Sequence, residues 1–252
     1  MKYEHISLVL TDRCNADCDS CSLSCGPDGR NVMAEDLMLR VVREAKAAGI
    51  RIVEFTGGEP FLFTELLSRG VQAAHGEKMG VMVTSNGFWG SWEKEKVYSL
   101  LKDMKPDHVN VSSDFFHCRF VPAEHVVQAL QACRNLGISC RMLVADTEGA
   151  CSAGRYMQSL GEKHFFSIDT WIYPARRCGR AMNLPEAWFP PAARRENTLT
   201  VFYDGEAYAC SPHEGRAEGT RLGNVLQTPL QELIGFCEGR DVAGKEAEGD
   251  VQ

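Results

Sequence analysis

The sequence contains no long apolar run. None of its stretches approaches the ~20 consecutive apolar residues that a membrane-spanning helix needs. The first segment, MKYEHISLVLTDRC, is not typical of a signal peptide, because its apolar run at residues 6–10 is short and Ser7 interrupts it. We therefore expect a cytoplasmic protein that has no membrane partner and whose thiols stay reduced.

A surplus of positive charge is also missing. The chain carries 27 Lys and Arg residues against 34 Asp and Glu residues, which gives a formal net charge of −7. No run rich in Lys or Arg marks a nucleic-acid-binding face, since RRENTLT and PARRCGR are short. The composition therefore gives no reason to expect a nucleic-acid partner.

Cysteine, in contrast, is abundant, with 11 residues in a chain of 252. Four of them, Cys14, Cys18, Cys21 and Cys25, fall within TDRCNADCDSCSLSC at residues 11–25. A disulfide knot, a zinc site and an iron–sulfur cluster compete as explanations, and a reducing compartment disfavours the knot. The spacing Cys14-x3-Cys18-x2-Cys21 can place three thiolates around one centre. A structural zinc site or an ordinary iron–sulfur cluster takes four protein ligands, one more than this motif supplies. A cubane with three protein ligands leaves one iron open to a substrate or cofactor, and Cys25 is expected to be a packed or surface cysteine.

A helix that ends at glycine, followed by a short apolar strand, recurs along the chain. Glycine supplies the left-handed conformation that closes a helix, and it stands at four such junctions: Gly49, Gly80, Gly137 and Gly161. The strands are mostly continuous in hydrophobicity, which is typical of a parallel sheet covered on both faces. Strand starts near residues 5, 51, 81, 108, 139 and 165 predict six βα units. The expected fold is therefore α/β, a partial (β/α)6 barrel.

Ligand sites in such folds lie at the carboxyl ends of the strands. The segments that follow the predicted strands are rich in glycine, polar residues and cysteine: TDRCNADC, TGGEP, TSNG, SSDFFHC, VADTEG and YPARRCGR. The cysteine motif follows the first strand directly, so we expect it at this end of the barrel. After the second strand, Gly57 and Gly58 let the backbone approach a ligand closely, and the Glu59 carboxylate can accept hydrogen bonds from an ammonium group.

The cysteine motif and the GGEP motif at residues 57–60, in this order on consecutive strand ends, resemble those of the radical S-adenosylmethionine (radical SAM) enzymes. The resemblance covers residues 5–175. It implies that Cys14, Cys18 and Cys21 hold a [4Fe–4S] cluster whose open iron binds SAM. Reductive cleavage of SAM would then yield a 5′-deoxyadenosyl radical that abstracts a substrate hydrogen. The electron would come from an external donor such as flavodoxin or ferredoxin.

The same resemblance assigns further residues to the SAM site. The methionine ammonium group would lie in the turn formed by Gly57, Gly58, Glu59 and Pro60. Four strand-end residues match positions at which the family contacts the ribose or the methionine carboxylate: Ser85, Asn86, Ser112 and Asp114. The family often places an aromatic residue near adenine just before the third cysteine. This chain has Ser20 there, so the surface that stacks on adenine must come from elsewhere.

The βα rhythm stops after about residue 174. TLTVFYDGEAYAC at residues 198–210 predicts a hairpin with its turn at Asp204-Gly205, and LQTPLQELIGFCEG predicts a last helix. CGRA, VFYDGEAYAC and LGNVLQTPLQELI resemble the C-terminal extension of radical SAM enzymes called SPASM, or its shortened twitch form, which carries auxiliary [4Fe–4S] clusters. The resemblance implies one auxiliary [4Fe–4S] cluster with three cysteine ligands: Cys178, Cys210 and Cys237.

A fourth ligand of that auxiliary cluster would be Cys151, the substrate or a non-cysteine group. We therefore expect three parts in the chain: the barrel at residues 1–175, the auxiliary extension at 176–240 and a disordered tail at 241–252. Arg180, in the extension, is expected either to bind a carboxylate through both guanidinium nitrogens or to form a surface ion pair.

Two enzymatic functions and one non-catalytic function are compatible with these motifs. We favour modification of a ribosomally synthesised peptide by crosslinking, epimerisation or oxidation, with the Cys118 thiol as a candidate to quench the substrate radical, as in some radical SAM epimerases. Because Cys14 comes so early, we expect no leader-recognition domain before the barrel, and a separate leader-recognition protein or the barrel mouth would bind the peptide. The alternative enzyme is a small-molecule radical SAM dehydrogenase with one auxiliary cluster. A zinc-binding or regulatory domain would leave GGEP and the barrel rhythm unexplained.

Overall fold

The computed structural model describes residues 3–160, 168–189, 197–217 and 219–235. Within these ranges one sheet contains nine strands: β1 (His5–Val9), β2 (Ile52–Thr56), β3 (Gly80–Ser85), β4 (His108–Ser112), β5 (Ser139–Asp146), β6 (Thr170–Pro174), β7 (Thr198–Phe202), β8 (Glu206–Tyr208) and β9 (Arg221–Asn224). The same ranges contain five named α-helices: α1 (Glu35–Ala47), α2 (Thr64–Gly76), α3 (Lys94–Met104), α4 (Ala123–Asn135) and α5 (Ala153–Ser159). Residues 230–235 are also helical, where a last helix was predicted.

The first six strands lie side by side in chain order, and every pair between them is parallel. This arrangement confirms the predicted partial (β/α)6 barrel. Because the strands are parallel, all six point their carboxyl ends towards the same edge, which brings the loops after them together. The predicted strand starts agree closely with the structure except at the sixth strand, where β6 begins at Thr170 and residues 161–167 lie outside the described ranges.

Each helix between strands buries one face against the sheet. In α1 the buried residues recur at three- and four-residue spacing, as an amphipathic helix requires: Leu37, Met38, Val41, Val42 and Ala45. Glu35 and Asp36 in the first turn and Lys46 in the last turn are favourable for the helix dipole. The apolar periodicity in the sequence therefore reports which face of the helix packs on the barrel.

Glycine closes α1 and α4 as predicted, because Gly49 and Gly137 have φ of 80° and 71°. The prediction for Gly80 was wrong. The helix α2 ends at Gly76, Lys78 takes the left-handed conformation with φ of 57°, and its N–H donates to the His75 carbonyl at 2.9 Å. The helix is thus closed two residues earlier, and Gly80 begins β3. Gly161 lies outside the described residues.

The hairpin predicted at residues 198–210 is confirmed, with Gly205 at φ of 82° in its turn. What the sequence pattern did not predict is its place in the fold. The strand β7 pairs in parallel with β1, from His5↔Thr198 to Val9↔Phe202, so the barrel sheet continues into the extension. The strands β8 and β9 then add in antiparallel order. The expected tail at 241–252 lies outside the described residues.

In the described part of the chain, no helix has both the length and the apolar character needed to cross a bilayer. The largest fully buried side chains instead pack between the sheet and the helices. Phe61 and Trp89, for example, stack at 4.6 Å between ring centroids beneath the turns that follow β2 and β3. This packing gives those two turns a rigid base.

Candidate active site

One cavity lies where the strands of the barrel end, and it gathers most of the residues predicted from the sequence. Its lining includes all four cysteines of the loop after β1 together with residues from the ends of β2, β3 and β4: Cys14, Cys18, Cys21, Cys25, Gly57, Gly58, Ser85, Asn86 and Ser112. We call residues 11–26 the cysteine loop. The parallel sheet brings these separate segments together because its strands all end at this edge.

The cysteine loop folds back on itself. The N–H of Cys14 donates to the Gly26 carbonyl at 2.9 Å, and the N–H of Gly26 donates to the Asp12 carbonyl at 3.1 Å. Cys14, Cys18 and Cys21 are free thiols that point at the cavity from this closed loop. Such a loop restricts the thiols to a small region, as a shared metal group requires.

The pKa values of the thiols in the loop shift in opposite directions, because burial dominates at Cys14 and Cys18 and a hydrogen bond dominates at Cys21. Burial, followed by the charge of Glu59, raises the pKa of the Cys14 thiol to about 12, and burial also raises the pKa of Cys18. The pKa of Cys21 is lowered to about 6, chiefly because the Cys25 side chain donates a hydrogen bond to it. Since a thiolate is the ligand form, metal binding at this loop must release protons from Cys14 and Cys18.

Among the described residues, no three His, Cys, Asp or Glu side chains are placed to hold one metal ion. The thiols of Cys14, Cys18 and Cys21 instead border a common cavity. This donor set fits a [4Fe–4S] cubane, in which each thiolate binds a different iron.

Gly57 and Gly58 are required by contact with the cysteine loop itself. Gly57 has φ of +141°, and a Cβ on Gly58 would lie 2.0 Å from the Arg13 carbonyl oxygen. The N–H of Gly58 donates to the Thr11 carbonyl at 2.7 Å, and the N–H of Glu59 donates to that of Arg13 at 2.8 Å. The two sequence motifs are therefore hydrogen-bonded to each other, and the glycines leave backbone at the cavity wall.

Glu59 lies behind the cavity wall in this structure. Its side chain is 0% exposed, and neither Glu59 nor Pro60 belongs to the cavity lining. Its carboxylate accepts hydrogen bonds from Phe61 N at 3.0 Å, Ser85 Oγ at 2.8 Å and Asn86 N at 2.7 Å. Burial outweighs these donors and raises the pKa of Glu59 to about 7. In this structure, Glu59 links the turn after β2 to the turn after β3, whereas the sequence indicated direct contact with an ammonium group.

Ser85 and Asn86 line the cavity, but their polar atoms also bind the protein. Ser85 Oγ accepts hydrogen bonds from Gly87 N at 3.0 Å and Trp89 Nε1 at 2.9 Å. Asn86 Nδ2 donates to Asn15 Oδ1 at 2.8 Å and to Cys14 Sγ at 3.7 Å. Asn86 therefore ties the end of β3 to the first cysteine of the loop.

The segment after β4 presents His117 to the cavity where the sequence suggested Asp114. Asp114 is buried outside the lining, and its Oδ1 accepts hydrogen bonds from Phe116 N at 2.8 Å and His117 N at 3.0 Å. Asp114 Oδ2 lies 2.9 Å from His117 Nδ1. Although burial acts against both charges, this ion pair lowers the pKa of Asp114 and raises that of His117. Ser112 lines the cavity as predicted.

The thiol of Cys118 does not face this cavity. It is absent from the lining, and Cys118 Sγ lies 3.5 Å from the Phe115 carbonyl oxygen while the side chain packs against the main core. Cys118 lies on the loop after β4, as its sequence position indicates, but the turn in that loop decides which of its side chains point inward. The structure therefore gives no geometric support for Cys118 as a cavity thiol.

The extension brings two of its predicted ligand cysteines to one turn. Cys178 Sγ lies 3.2 Å from the His213 carbonyl oxygen, and Cys210 Sγ lies 3.5 Å from the Gly215 carbonyl oxygen. Cys151 packs in a different apolar cluster, with Cys14, Cys18 and Trp188 among its members. Cys237 lies outside the described residues.

Three residues that the sequence reasoning missed also line the cavity: Tyr173, Arg176 and His213. The rings of Tyr173 and His213 lie 4.6 Å apart between centroids. Tyr173 lies near the end of β6 and Arg176 follows that strand, so their position at a strand end was a usable signal. The approach of His213, which follows β8, depends on a contact that is remote in sequence.

Comparison with known proteins agrees with this geometry. The sequence profile of the radical SAM superfamily matches residues 8–147, more than half of the chain. The chain is 33% identical over 146 residues to the putative peptide biosynthesis protein YydG of Bacillus subtilis (strain 168), covering 55% of this chain and 46% of that one. It is 34% identical over 119 residues to a probable GTP 3′,8-cyclase of Methanosarcina mazei, covering 45% and 34%. The chain thus spans less than half the length of either relative.

A solved structure with a similar fold is that of Streptococcus suis SuiB bound to the precursor peptide SuiA. The TM-score is 0.62 at 13% sequence identity, and the match covers 92% of this chain and 64% of that one. At this identity the likeness shows the fold, and it extends beyond the barrel into the region after residue 175.

Proposed function

Because the chain belongs to the radical SAM superfamily, we propose that it holds a [4Fe–4S] cluster on Cys14, Cys18 and Cys21, binds SAM beside it and modifies a peptide. The observation that carries this proposal is the single cavity in which the three thiols meet Gly57 and Gly58. When bound, the cluster would supply the electron for reductive cleavage of SAM, which yields the 5′-deoxyadenosyl radical that takes a hydrogen atom from the substrate. A flavodoxin or ferredoxin is proposed as the donor of that electron.

The chain's own residues bind and orient SAM in this proposal. Gly57 and Gly58 offer backbone without side chains, so the methionine ammonium group can reach main-chain carbonyl oxygens. His117, fixed by its ion pair with Asp114, faces the cavity and can donate a hydrogen bond to the methionine carboxylate. Ser112 remains a candidate for the ribose or the carboxylate. Glu59 and Asn86 do not contact SAM in this proposal; they hold the turns after β2 and β3 and the cysteine loop in position.

Adenine binding is proposed at Tyr173 and His213. Both rings line the same cavity as the cysteines and lie against each other. They supply the aromatic surface that Ser20 does not provide.

Peptide modification is supported by the names of two similar proteins, the putative peptide biosynthesis protein YydG and SuiB, whose solved structure holds a precursor peptide. The reaction proposed is crosslinking, epimerisation or oxidation of a ribosomally synthesised peptide. A separate leader-recognition protein is proposed as a partner for peptides that the barrel mouth does not bind alone.

The test uses protein purified and reconstituted without oxygen, SAM, dithionite and synthetic peptides encoded near its gene, in deuterated buffer. We expect 5′-deoxyadenosine formation that depends on one peptide. Deuterium gain in that peptide would indicate epimerisation, and loss of two hydrogens would indicate crosslinking or oxidation. SAM cleavage that no peptide stimulates or couples to a product would contradict the peptide proposal.

The second candidate is a small-molecule radical SAM reaction, such as that of a dehydrogenase, and the match to a GTP 3′,8-cyclase favours it. The same assay with GTP and small alcohols in place of peptides distinguishes the two. A nucleotide or alcohol that stimulates 5′-deoxyadenosine formation and is itself converted would select this candidate.

One auxiliary [4Fe–4S] cluster is proposed at Cys178 and Cys210, with Cys237 as a further ligand. The approach of the first two thiols to the turn at residues 213–215 supports it. Cys210→Ala should lower the iron content by about four per chain while leaving reductive SAM cleavage largely intact. An unchanged iron content would refute the auxiliary cluster, and the packing of Cys151 elsewhere gives that residue no support as the fourth ligand.

A further inference from the structure

Arg180 belongs to the extension but contacts the cysteine loop of the barrel. Its Nη1 donates to the Cys18 carbonyl at 2.7 Å, and its Nη2 donates to the Cys25 carbonyl at 2.7 Å. The same Nη2 lies 2.6 Å from Asp17 Oδ1. One guanidinium group therefore joins a predicted ligand cysteine to the last cysteine of the loop.

The backbone at residues 179–180 also packs closely against the cysteine loop. The N–H of Arg180 donates to the Cys21 carbonyl at 2.9 Å. Gly179 has φ of +57°, and a Cβ there would lie 2.3 Å from the Ser22 carbonyl oxygen. The chain therefore requires glycine next to Arg180. Because this close contact fixes the backbone against the cysteine loop, it also fixes the position from which the Arg180 side chain extends.

The sequence suggested that Arg180 either grips a carboxylate with both nitrogens or forms a surface ion pair. The structure contains an ion pair, with Asp17, but the guanidinium group also binds two main-chain carbonyls that the sequence did not predict. The side chain of Arg180 is only 21% exposed, and two of its three contacts are with main-chain carbonyls, whereas its partner Asp17 is 56% exposed. The guanidinium group is a planar fork of N–H donors, so it can bind two carbonyl oxygens at once and fix the distance between them. The ammonium group of lysine does this less well.

We propose that Arg180 is a positioning residue for the radical-generating cluster: its fork sets the shape of the cysteine loop, and its positive charge favours the reduced cluster. The proposal rests on the [4Fe–4S] cluster proposed above for Cys14, Cys18 and Cys21, and it does not depend on whether the substrate is a peptide. Reduction adds one negative charge to the cluster. A cation held beside the loop stabilises that charge, and the more solvated Asp17 offsets only part of the effect.

The experiment titrates the cluster with dithionite, which supplies the electron, and follows the reduced state by electron paramagnetic resonance. Arg180→Gln removes charge and fork, Arg180→Lys keeps the charge, and Asp17→Asn removes the counter-charge. Arg177→Gln is the matched control, because its guanidinium contacts Met182 and Glu186 within the extension. All variants also carry Cys210→Ala, so that any auxiliary cluster does not contribute to the signal.

A unit charge at roughly 10 Å and an effective dielectric of about 20 changes such an equilibrium about tenfold. We therefore expect the ratio of reduced to oxidised cluster, at one applied potential, to fall about tenfold in Arg180→Gln and to stay near wild type in Arg177→Gln. The ratio should rise in Asp17→Asn, by a smaller factor because solvent screens that carboxylate. In Arg180→Lys the ratio should be largely restored, while the spectral change on SAM addition stays altered because the fork is missing.

If Arg180 had only a structural role, Arg180→Gln and Asp17→Asn would not change the ratio of reduced to oxidised cluster in opposite directions. If Arg180→Gln loses the cluster while Arg177→Gln retains it, the positioning role is supported, and Arg180→Lys and Asp17→Asn then test the charge. A wild-type ratio, iron content and SAM response in Arg180→Gln would overturn the proposal. If Arg180→Gln and Asp17→Asn change the ratio of reduced to oxidised cluster in the same direction, the electrostatic part of the proposal is overturned.

Discussion

At the scale of single residues, Cys14, Cys18 and Cys21 differ from Cys25, the fourth cysteine that lines the cavity, because they carry the Cys-x3-Cys-x2-Cys spacing. Cys14→Ala, Cys18→Ala or Cys21→Ala should abolish reductive SAM cleavage, because two thiolates do not hold the cubane. Formation of 5′-deoxyadenosine with dithionite measures this. Cys118→Ala is the control, and its cleavage should stay within about twofold of wild type. Cleavage that persists in any of the three, or its loss in Cys118→Ala, would contradict the assignment.

A second residue-scale prediction concerns the buried carboxyl group of Glu59. Burial raises its pKa from 4.5 to about 7, so the folded protein favours the protonated form. The stability that this group contributes is therefore complete below pH 4.5 and is lost as the pH rises through about 7. Chemical unfolding of the metal-free protein should show wild type losing about 3 kcal/mol relative to Glu59→Gln across this range.

The comparison with Glu59→Gln cancels the titration of groups that do not interact with Glu59, because they are common to both proteins. The Cys14 thiol does interact with Glu59, but with a pKa of about 12 it stays protonated across this range. A glutamate that faced solvent in the cavity would titrate near its ordinary pKa. A stability difference that does not change between pH 4.5 and 7 would therefore show that Glu59 is not enclosed between the two turns.

At the scale of elements, the turn after β2 and the cysteine loop form one unit. Gly58→Ala should prevent cluster incorporation and destabilise the protein by more than about 2 kcal/mol, because the new Cβ would meet the Arg13 carbonyl. Gly76→Ala, at the end of α2, is the control, since a Cβ there meets nothing within 4 Å. Iron content and thermal unfolding measure both. A Gly58→Ala protein with full iron content would contradict the close contact between the two motifs.

At the scale of the whole molecule, barrel and extension share one sheet. A chain cut to residues 1–175 should unfold more than about 10 °C below a chain of residues 1–235, or aggregate, because β1 loses its parallel partner β7 and exposes an edge. Circular dichroism during heating measures this. Equal midpoints for the two chains would show that the barrel is stable without the extension.

Local patterns in the sequence predicted the parts of the site that depend on neighbours along the chain. The βα order followed from apolar runs and helix ends, and it placed Cys14 and Gly57 at the same edge because parallel strands end together. The same reasoning did not predict that Glu59 and Cys118 lie outside the cavity lining. Their strand-end positions were correct, but the direction of a side chain on a turn depends on the hydrogen bonds that the turn makes.

The sequence by itself determined the barrel rhythm, the cysteine spacing and the GGEP motif, since each is encoded within a few consecutive residues. Only the tertiary structure decided that β7 lies beside β1, that His117 rather than Asp114 faces the cavity, and that Arg180 grips the cysteine loop. For His117 and Asp114 the physical reason is the direction of side chains on a turn, and for the other two contacts it is distance along the chain. Arg180 and Cys18 are far apart in sequence, and no periodicity or propensity predicts a hydrogen bond between segments that only the folded chain brings together.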